Sequence, residues 1–190
     1  MPDADRWKLV RNSLLVLGCF LCITACSIRP AQKETAAATL DLTSADFAAG
    51  ATIPKNFTCD GGDSSPALAW KAPPERTQSF ALIADDPDAP VGTWVHWVIF
   101  NIPATSRALA QNYPKDEQSV DGTRQGKNDF DKTGYGGPCP PPGKVHRYFF
   151  KLYALDTKLN LNAGATKKDL EHAIQGHVLA RGEYVGRYSH

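Results

Sequence analysis

The chain has 190 residues, of which 42% are hydrophobic and 22% charged, so it can bury the core of one domain and is too apolar to be wholly disordered. Its 21 Lys and Arg balance 20 Asp and Glu, and the formal charge of +1 argues against a nucleic-acid-binding protein, which usually carries a basic excess. Fourteen prolines and fifteen glycines against one methionine favour strands and turns over a helical bundle.

The N-terminal segment has the layout of a secretory signal peptide. Three cations, Arg6, Lys8 and Arg11, precede an apolar run over residues 14–25. A run of 12 residues is too short to span a bilayer, which needs about 20. Cations followed by a short apolar stretch and small residues are typical of an export signal, so residues 1–25 are predicted to be a signal peptide.

The end of the apolar run resembles the lipobox of bacterial lipoproteins. It reads Ile23-Thr24-Ala25-Cys26, which predicts that Cys26 is acylated, with palmitate among the expected chains, and becomes the first residue of the mature protein. The alternative is an uncleaved anchor or a chance cysteine. Cys19 and Cys22 have the spacing of a redox or metal pair, but we discount that function because they lie inside the apolar run.

The segment after Cys26 is predicted to be a tether. Residues 27–39 are rich in Ala, Thr and charge and lack an apolar period, which is typical of a linker. We therefore expect a lipidated tether at 26–39 and a folded domain at 40–190. The predicted location is the cell envelope, with the protein lipid-anchored to a membrane. In a diderm host, Ser27 after the cysteine favours the outer membrane, facing the periplasm.

The domain is predicted to be mainly β. Residues 79–84, 94–102 and 147–155 are apolar, aromatic and β-branched, and Pro, Gly, Asp and Asn clusters bound them. Several of these strands are apolar on both faces, which suits the inner layers of a sandwich.

The C-terminal third is predicted to contain one short helix and a further strand. Residues 166–173 form the helix, with Thr166 as N-cap and Asp169 three residues on. Residues 178–188 return to a strand-like pattern, although Gly182 and Gly186 weaken that prediction.

Two predicted strands begin with a polar residue and continue with apolar ones. Side chains two apart on a strand share a face. The first predicted face comprises His146, Tyr148, Phe150 and Leu152; the second comprises His96, Val98, Phe100 and Ile102. This pattern indicates a pocket at the end of a core, and the alternative for each histidine is a hydrogen-bonded core residue or a strand cap.

Two loops could complete such a pocket. Asp85, Asp86 and Asp88 are three acids in four residues, so at least one should have donors nearby, and Pro87 and Pro90 stiffen the turn. Residues 134–143 are rich in glycine and proline, and consecutive backbone amides can form an anion-binding hollow. The alternatives are a solvated turn and a rigid connector. The second loop matches no nucleotide-binding fingerprint, and no cofactor is predicted.

These segments together resemble the phosphatidylethanolamine-binding protein family, in its bacterial Raf-kinase-inhibitor-like branch. The resemblance runs from about Leu40 to the end of the chain. The segments that carry it are Asp86-Pro87-Asp88-Ala89-Pro90, Trp94-Val95-His96-Trp97, residues 134–142, His146-Arg147-Tyr148, Cys59-Asp60-Gly61 and Gly176-His177-Val178-Leu179-Ala180.

The resemblance implies an antiparallel Greek-key β-sandwich with a small anion pocket at one edge. The residues implied to line it are Asp86, His96, His146 and Tyr148, with Gly137 and Pro138 contributing backbone. It implies a non-enzymatic protein that binds a phosphate-like group, such as a phospholipid headgroup or an anionic small molecule. It also implies that the protein regulates a partner, such as a protease.

Cys59 and Cys139 are the only two thiols left in the predicted domain after export. An oxidising compartment permits a disulfide between them, and the alternative is two buried thiols. Closing a loop of about 80 residues would stabilise the fold by about 4–5 kcal/mol in the chain-entropy model.

Three other functions remain open at this point. Ser64 or Ser65 could act as the nucleophile of a hydrolase with one of the histidines as base, although no nucleophile-elbow pattern surrounds either serine. His96, His146 and Asp86 could instead bind a metal and serve a metal-dependent hydrolase in the same pocket, provided that all three converge on one ion. The third alternative is an envelope interaction protein whose pocket is vestigial.

Overall fold

The computed structural model describes residues 37–71 and 73–190. The predicted signal peptide, Cys19, Cys22, Cys26 and most of the predicted tether lie outside these residues. The strands of the described part are β1 (Ala38–Thr39), β2 (Leu42–Thr43), β3 (Leu68–Trp70), β4 (Ser79–Asp86), β5 (Trp94–Pro103), β6 (Ala108–Leu109), β7 (Arg124–Gln125), β8 (His146–Leu155) and β9 (Val178–Tyr188). A 3-10 helix spans Lys55–Phe57, and α1 spans Lys167–Ala173.

The strands form two sheets. The larger has the order β1-β9-β8-β4-β5-β7, and the smaller has the order β2-β3-β6. All pairings between strands are antiparallel except that of β1 with β9, which is parallel. The prediction of a mainly β sandwich is confirmed, with the correction that the larger sheet is mixed at one edge. Ala38 and Thr39, assigned to the tether from sequence, belong to this sheet.

The main core lies between the two sheets. The smaller sheet contributes Leu42, Leu68, Trp70 and Leu109, and the larger contributes residues such as Phe80, Leu82, Trp97 and Phe150. Trp70 meets Phe80 edge-on with ring centroids 5.1 Å apart. Every residue of β4 is buried, as expected for a central strand covered on both faces.

The opposite face of the larger sheet is covered by α1 and the chain that leads to it. Leu159, Leu170 and Ile174 pack there against Ile83 and Phe100. Helix α1 begins with a capping box, in which the Thr166 hydroxyl accepts from the Asp169 N–H and the Asp169 carboxylate accepts from the Thr166 N–H. The predicted helix and its N-cap are confirmed.

Two irregularities in β5 break the alternation that sequence predicts. The pairing of β5 with β4 shifts by one residue around His96 and again between Ile99 and Ile102, where Asn101 has a φ of 56°. Val98 and Phe100 therefore face α1, whereas Ile102 faces the smaller sheet. The predicted face of His96, Val98, Phe100 and Ile102 is wrong, because a bulge inserts an extra residue and re-aims the side chains beside it.

The order of the central strands places the candidate site. Because β4 runs antiparallel to both β5 and β8, the end of β4 lies beside the beginnings of its two neighbours. Asp86 ends β4, Trp94 and His96 begin β5, and His146 and Tyr148 begin β8. Sheet pairing thus brings together polar residues that are up to 62 positions apart in the sequence, from Asp86 to Tyr148.

Within the described residues, no helix has the length and apolar character needed to cross a membrane.

The glycines of β9 have a packing role, which explains why they do not break the strand. A Cβ atom on Gly186 would lie 2.4 Å from Cγ1 of Ile53 and 2.8 Å from Cε2 of Phe47. Ile53 is fully buried, so it has little room to move. A side chain at Gly186 would therefore overpack the main core.

We predict that Gly186→Ala lowers the free energy of unfolding by about 1–3 kcal/mol, as overpacking does. In an Ile53→Ala background the same substitution should cost less, by about 0.5 kcal/mol or more, because the clashing atoms are gone. Urea unfolding of the four proteins of this double-mutant cycle measures both values. An equal cost in the two backgrounds would contradict the packing role assigned to Gly186.

Candidate functional site

A cavity of about 180 Å³ opens at the sheet edge where β4 ends and β5 and β8 begin. Its polar and aromatic walls are Asp86, Trp94, His96, Phe130, His146 and Tyr148. The chain around Ala89, Pro90 and Val91 and the segment from Cys139 to Pro141 complete it. The two histidines from separate strands therefore line one and the same cavity.

Asp86 and His146 form a buried pair at the base of this cavity. Oδ2 of Asp86 lies 2.7 Å from Nδ1 of His146, and each side chain is 4% exposed. A carboxylate only accepts, so Nδ1 of His146 donates. This bond fixes the orientation of the ring and leaves Nε2 as the nitrogen that is free to contact a ligand. The other oxygen of Asp86, Oδ1, accepts the backbone N–H of Asp88 at 2.8 Å.

His96 is held in the same way by a different acceptor. Its Nδ1 lies 2.7 Å from the carbonyl oxygen of Gly136, so Nδ1 donates and Nε2 remains available. Burial lowers the pKa of His96, and the Gly136 carbonyl and the charge of Asp86 offset that effect in part. The imidazole packs edge-on against Tyr148 and Phe130, with ring centroids 5.2 Å and 5.4 Å away.

Two more donors of the cavity walls are buried and unpaired. The hydroxyl of Tyr148 and Nε1 of Trp94 have no hydrogen-bond partner among the described residues. Burial raises the pKa of Tyr148, with a further contribution from the charge of Asp86, so its hydroxyl keeps its proton. An unpaired buried donor costs about 1–3 kcal/mol, so two of them beside one cavity indicate a place for an acceptor.

Each acid of the Asp85–Asp88 loop has its own donors. Asp85, fully buried, accepts from the ammonium groups of Lys151 at 2.8 Å and Lys167 at 2.6 Å. Asp88 accepts two hydrogen bonds from the Arg147 guanidinium, which lower the pKa of that carboxyl to about 2. These contacts fix the loop and leave Asp86 as the acid of this loop that lines the cavity.

The glycine-rich segment 134–143 packs against its own chain. The N–H of Gly137 donates to Oδ1 of Asp63 at 2.6 Å, and the carbonyl of Pro138 accepts from the N–H of Cys59 at 3.1 Å. A Cβ on Gly137 would lie 2.6 Å from the carbonyl oxygen of Phe57. The close approach that glycine permits here is therefore to the segment 57–63, and neither Gly137 nor Pro138 lines the cavity.

A disulfide joins Cys59 to Cys139 with a Cα–Cα distance of 5.4 Å. It links the segment after the 3-10 helix to the glycine-rich segment. Because Cys139 also lines the cavity, the disulfide fixes one of its walls.

A more open groove of about 450 Å³ adjoins the cavity at His146. Its walls include Lys144, Arg147 and Arg187, together with Asp88 and Val145. Asp88 neutralises Arg147, whereas no ion pair involves Lys144 or Arg187 within the described part of the chain. This groove therefore carries an excess of positive charge.

Four of the six predicted binding residues, Asp86, His96, His146 and Tyr148, come together in the cavity. Gly137 and Pro138 lie in the adjacent segment but support it from outside. Sequence reasoning missed Phe130, which packs on His96. The available signal was a lone aromatic residue in the polar stretch Asn128-Asp129-Phe130-Asp131-Lys132.

The geometry does not support the two hydrolase alternatives. Neither Ser64 nor Ser65 lines the cavity, and the hydroxyl of Ser65 accepts the N–H of Tyr113 at 2.8 Å. In residues 37–71 and 73–190, the one group of three potential metal ligands within 4.8 Å of one another is Cys59, Cys139 and His190. Asp86, His96 and His146 therefore do not converge on one ion.

Comparison with known proteins identifies the family. The model of the family described as "Phosphatidylethanolamine-binding protein" matches residues 43–189. This chain therefore belongs to the phosphatidylethanolamine-binding protein family.

Relatives and solved structures agree with this assignment. A UPF0098 protein of Aquifex aeolicus is 49% identical over 153 residues, which cover 80% of this chain and 89% of the relative. A UPF0098 protein of Methanothermobacter thermautotrophicus is 54% identical over 136 residues, which cover 72% of this chain and 89% of the relative. The crystal structure of E. coli YbcL, described as a new member of the mammalian PEBP family, is 35% identical and superposes with a TM-score of 0.75. The match covers 80% of this chain and 99% of YbcL.

The lowered pKa of His96 makes the stability of the protein depend on pH. Between the ordinary histidine pKa of 6.5 and its lower folded value, the unfolded chain binds a proton that the folded protein excludes. The free energy of unfolding should therefore fall as the pH drops below about 6.5, by up to about 1.4 kcal/mol per pH unit.

Urea unfolding between pH 7.5 and pH 5 measures this dependence. The variant His96→Gln, which cannot titrate, should show a smaller slope than the wild type. Equal slopes for the two proteins would show that His96 is not held neutral by burial.

Proposed function

We propose that this protein is a non-enzymatic binding protein for phosphate-like anionic groups, carried by a phospholipid headgroup or a phosphorylated small molecule. The observation that carries the proposal is the arrangement of His96 and His146. Each ring is fixed through Nδ1 by an acceptor of the protein itself, Gly136 for His96 and Asp86 for His146, and both rings line one cavity. The Nε2 atoms are therefore the groups offered to a ligand.

An imidazole of the site becomes a charged donor when it takes up a proton at Nε2, which a bound anion favours. A neutral imidazole with hydrogen on Nδ1 presents a lone pair at Nε2, and protonation turns Nε2 into a donor. A bound anion raises the pKa of the His96 ring by opposite-charge attraction. Tyr148 and Trp94 add neutral donors that need no proton uptake. Binding of an anion is therefore coupled to uptake of a proton at His96.

The buried carboxylate of Asp86 distinguishes this site from a simple cationic pocket. Both of its oxygens already accept hydrogen bonds, from His146 and from the backbone of Asp88. Its first role is therefore to orient the ring of His146. Its negative charge also favours ligands that carry a cation next to the anion, such as an ethanolamine-like ammonium. Lys144 and Arg187 in the adjoining groove add long-range attraction for the anionic part.

We also propose that Cys26 anchors the mature domain to a membrane, as the signal layout and lipobox predict. An anchor of this kind would place the cavity within reach of phospholipid headgroups. Regulation of a partner such as a protease, which the family resemblance implies, stays a prediction.

We predict that His96→Ala and His146→Ala each weaken binding of glycerophosphoethanolamine by about tenfold or more, because each removes a charge-assisted hydrogen bond. Isothermal titration calorimetry measures the affinity, and inorganic phosphate should compete. The ligand is a phosphodiester, so its own charge stays constant between pH 5 and pH 8, and its affinity should rise as the pH falls.

The matched control is His177→Ala. His177 is half-exposed and donates through Nδ1 to Asp156 at 2.8 Å, as His146 does to Asp86, but it lies outside the cavity. Its removal should leave binding unchanged. Unaltered affinity in both cavity variants would remove the binding function and favour an interaction protein with a vestigial pocket. Ester hydrolysis that is lost in Ser64→Ala or Ser65→Ala would instead favour the serine hydrolase.

We predict that Cys26→Ser abolishes acylation and releases the protein from membranes, since Cys26 is the proposed acceptor of the lipid. Metabolic labelling with an alkynyl palmitate analogue in a bacterial host, followed by membrane fractionation, measures both effects. Ser27→Ala keeps the cysteine and should remain labelled. Continued labelling of the Cys26→Ser protein would refute the anchor.

A further inference from the structure

A second group of chemically reactive side chains lies at the surface and consists of the two disulfide cysteines and a histidine. His190, which follows β9, places a ring nitrogen within 4.8 Å of the ligand atoms of Cys59 and Cys139. All three residues are exposed. None of the three side chains is a proposed contact of the anion, although Cys139 also lines the cavity.

We propose that reduction of the disulfide creates a binding site for one zinc-like divalent cation, held by the thiolates of Cys59 and Cys139 and the imidazole of His190. Two thiolates and one imidazole are the ligand types that zinc prefers, and a solvent molecule can take the fourth position of the tetrahedron. Two thiolates also neutralise the charge of a divalent cation.

Reduction of the disulfide requires a dithiol reductant. The reductant's two thiols pass two electrons and two protons to the protein, the bond between Cys59 and Cys139 breaks, and the reductant becomes a disulfide. The cation then displaces the two thiol protons, which are released to solvent. An exposed disulfide is open to such exchange.

The backbone keeps the two cysteines together without their bond. The N–H of Cys59 donates to the carbonyl of Pro138 at 3.1 Å, and the N–H of Gly137 donates to Asp63 at 2.6 Å. The ligand atoms of a tetrahedral zinc site lie about 3.3–3.8 Å apart, given bonds of about 2.0–2.3 Å. The Cα–Cα distance of 5.4 Å allows two thiolates to reach that separation by rotating their side chains.

A carboxylate partner fixes the tautomer of His190. Its Nδ1 donates to Oδ2 of Asp60 at 3.0 Å, which leaves the lone pair of Nε2 available. The same oxygen accepts the hydroxyl of Tyr188, so the carboxylate is itself held in place. A carboxylate behind the imidazole is the usual support of a zinc-bound histidine, because it fixes the tautomer and direction of the ring.

The test uses the full chain, reduced with a dithiol that is then removed without air. Cobalt(II) reports thiolate ligation by its charge-transfer absorption, and zinc affinity is measured by competition with a chelating dye. Reduced wild type should bind one more equivalent of metal than reduced Cys59→Ser/Cys139→Ser protein. Both proteins retain Cys19, Cys22 and Cys26, so the difference reports the proposed site. Equal stoichiometry would overturn the proposal.

A second pair of variants retains both cysteines, so that loss of a metal ligand can be distinguished from a failure to fold. His190→Ala should weaken zinc binding to the reduced protein by about tenfold or more, whereas His177→Ala, also an imidazole paired with an aspartate, should not. Zinc should raise the Tm of reduced wild type and leave that of the oxidised protein unchanged. An unaltered affinity in His190→Ala, or no Tm shift in the reduced protein, would each overturn the proposal.

Discussion

The candidate site depends on the buried contact between Asp86 and His146. A carboxylate that is 4% exposed is stable inside a protein only when donors satisfy it, and here the imidazole and the backbone of Asp88 do so. The contact joins the end of β4 to the beginning of β8 and fixes which nitrogen of His146 is free. Removing either partner would leave an unsatisfied polar group at the base of the cavity.

The pairing order of the central strands makes this contact possible. Since β4 has antiparallel neighbours on both sides, three strands contribute their ends to one small region. The bulge at His96 then directs that imidazole toward Tyr148 instead of the face of Val98. The segment 134–143 closes the cavity, and its carbonyl at Gly136 fixes the tautomer of His96. Each histidine is thus positioned by a constraint of its own.

Much of this fold could be predicted from local patterns. The alternation of His146, Tyr148, Phe150 and Leu152 is correct, because β8 is regular over that stretch. The Thr166 cap is correct because a capping box is a local interaction. The face assigned to His96 is wrong because a bulge depends on the register with a neighbouring strand, which one sequence does not reveal. The position of Gly137 and Pro138 beside the cavity, and not in its lining, could not be predicted for a similar reason, since their hydrogen-bond partners lie in the distant segment 57–63.

The central claim is that His96 and His146 present their Nε2 atoms to a shared anion. Long-range ¹H–¹⁵N correlation spectra of the histidine rings, recorded at pH 7 with and without glycerophosphoethanolamine, test it directly. We expect a neutral Nδ1–H tautomer for free His96 and hydrogen on Nδ1 of His146. We also expect that Nε2 of His96 gains a proton when the ligand binds. A free His96 with its hydrogen on Nε2, or rings unchanged at saturating ligand, would contradict it.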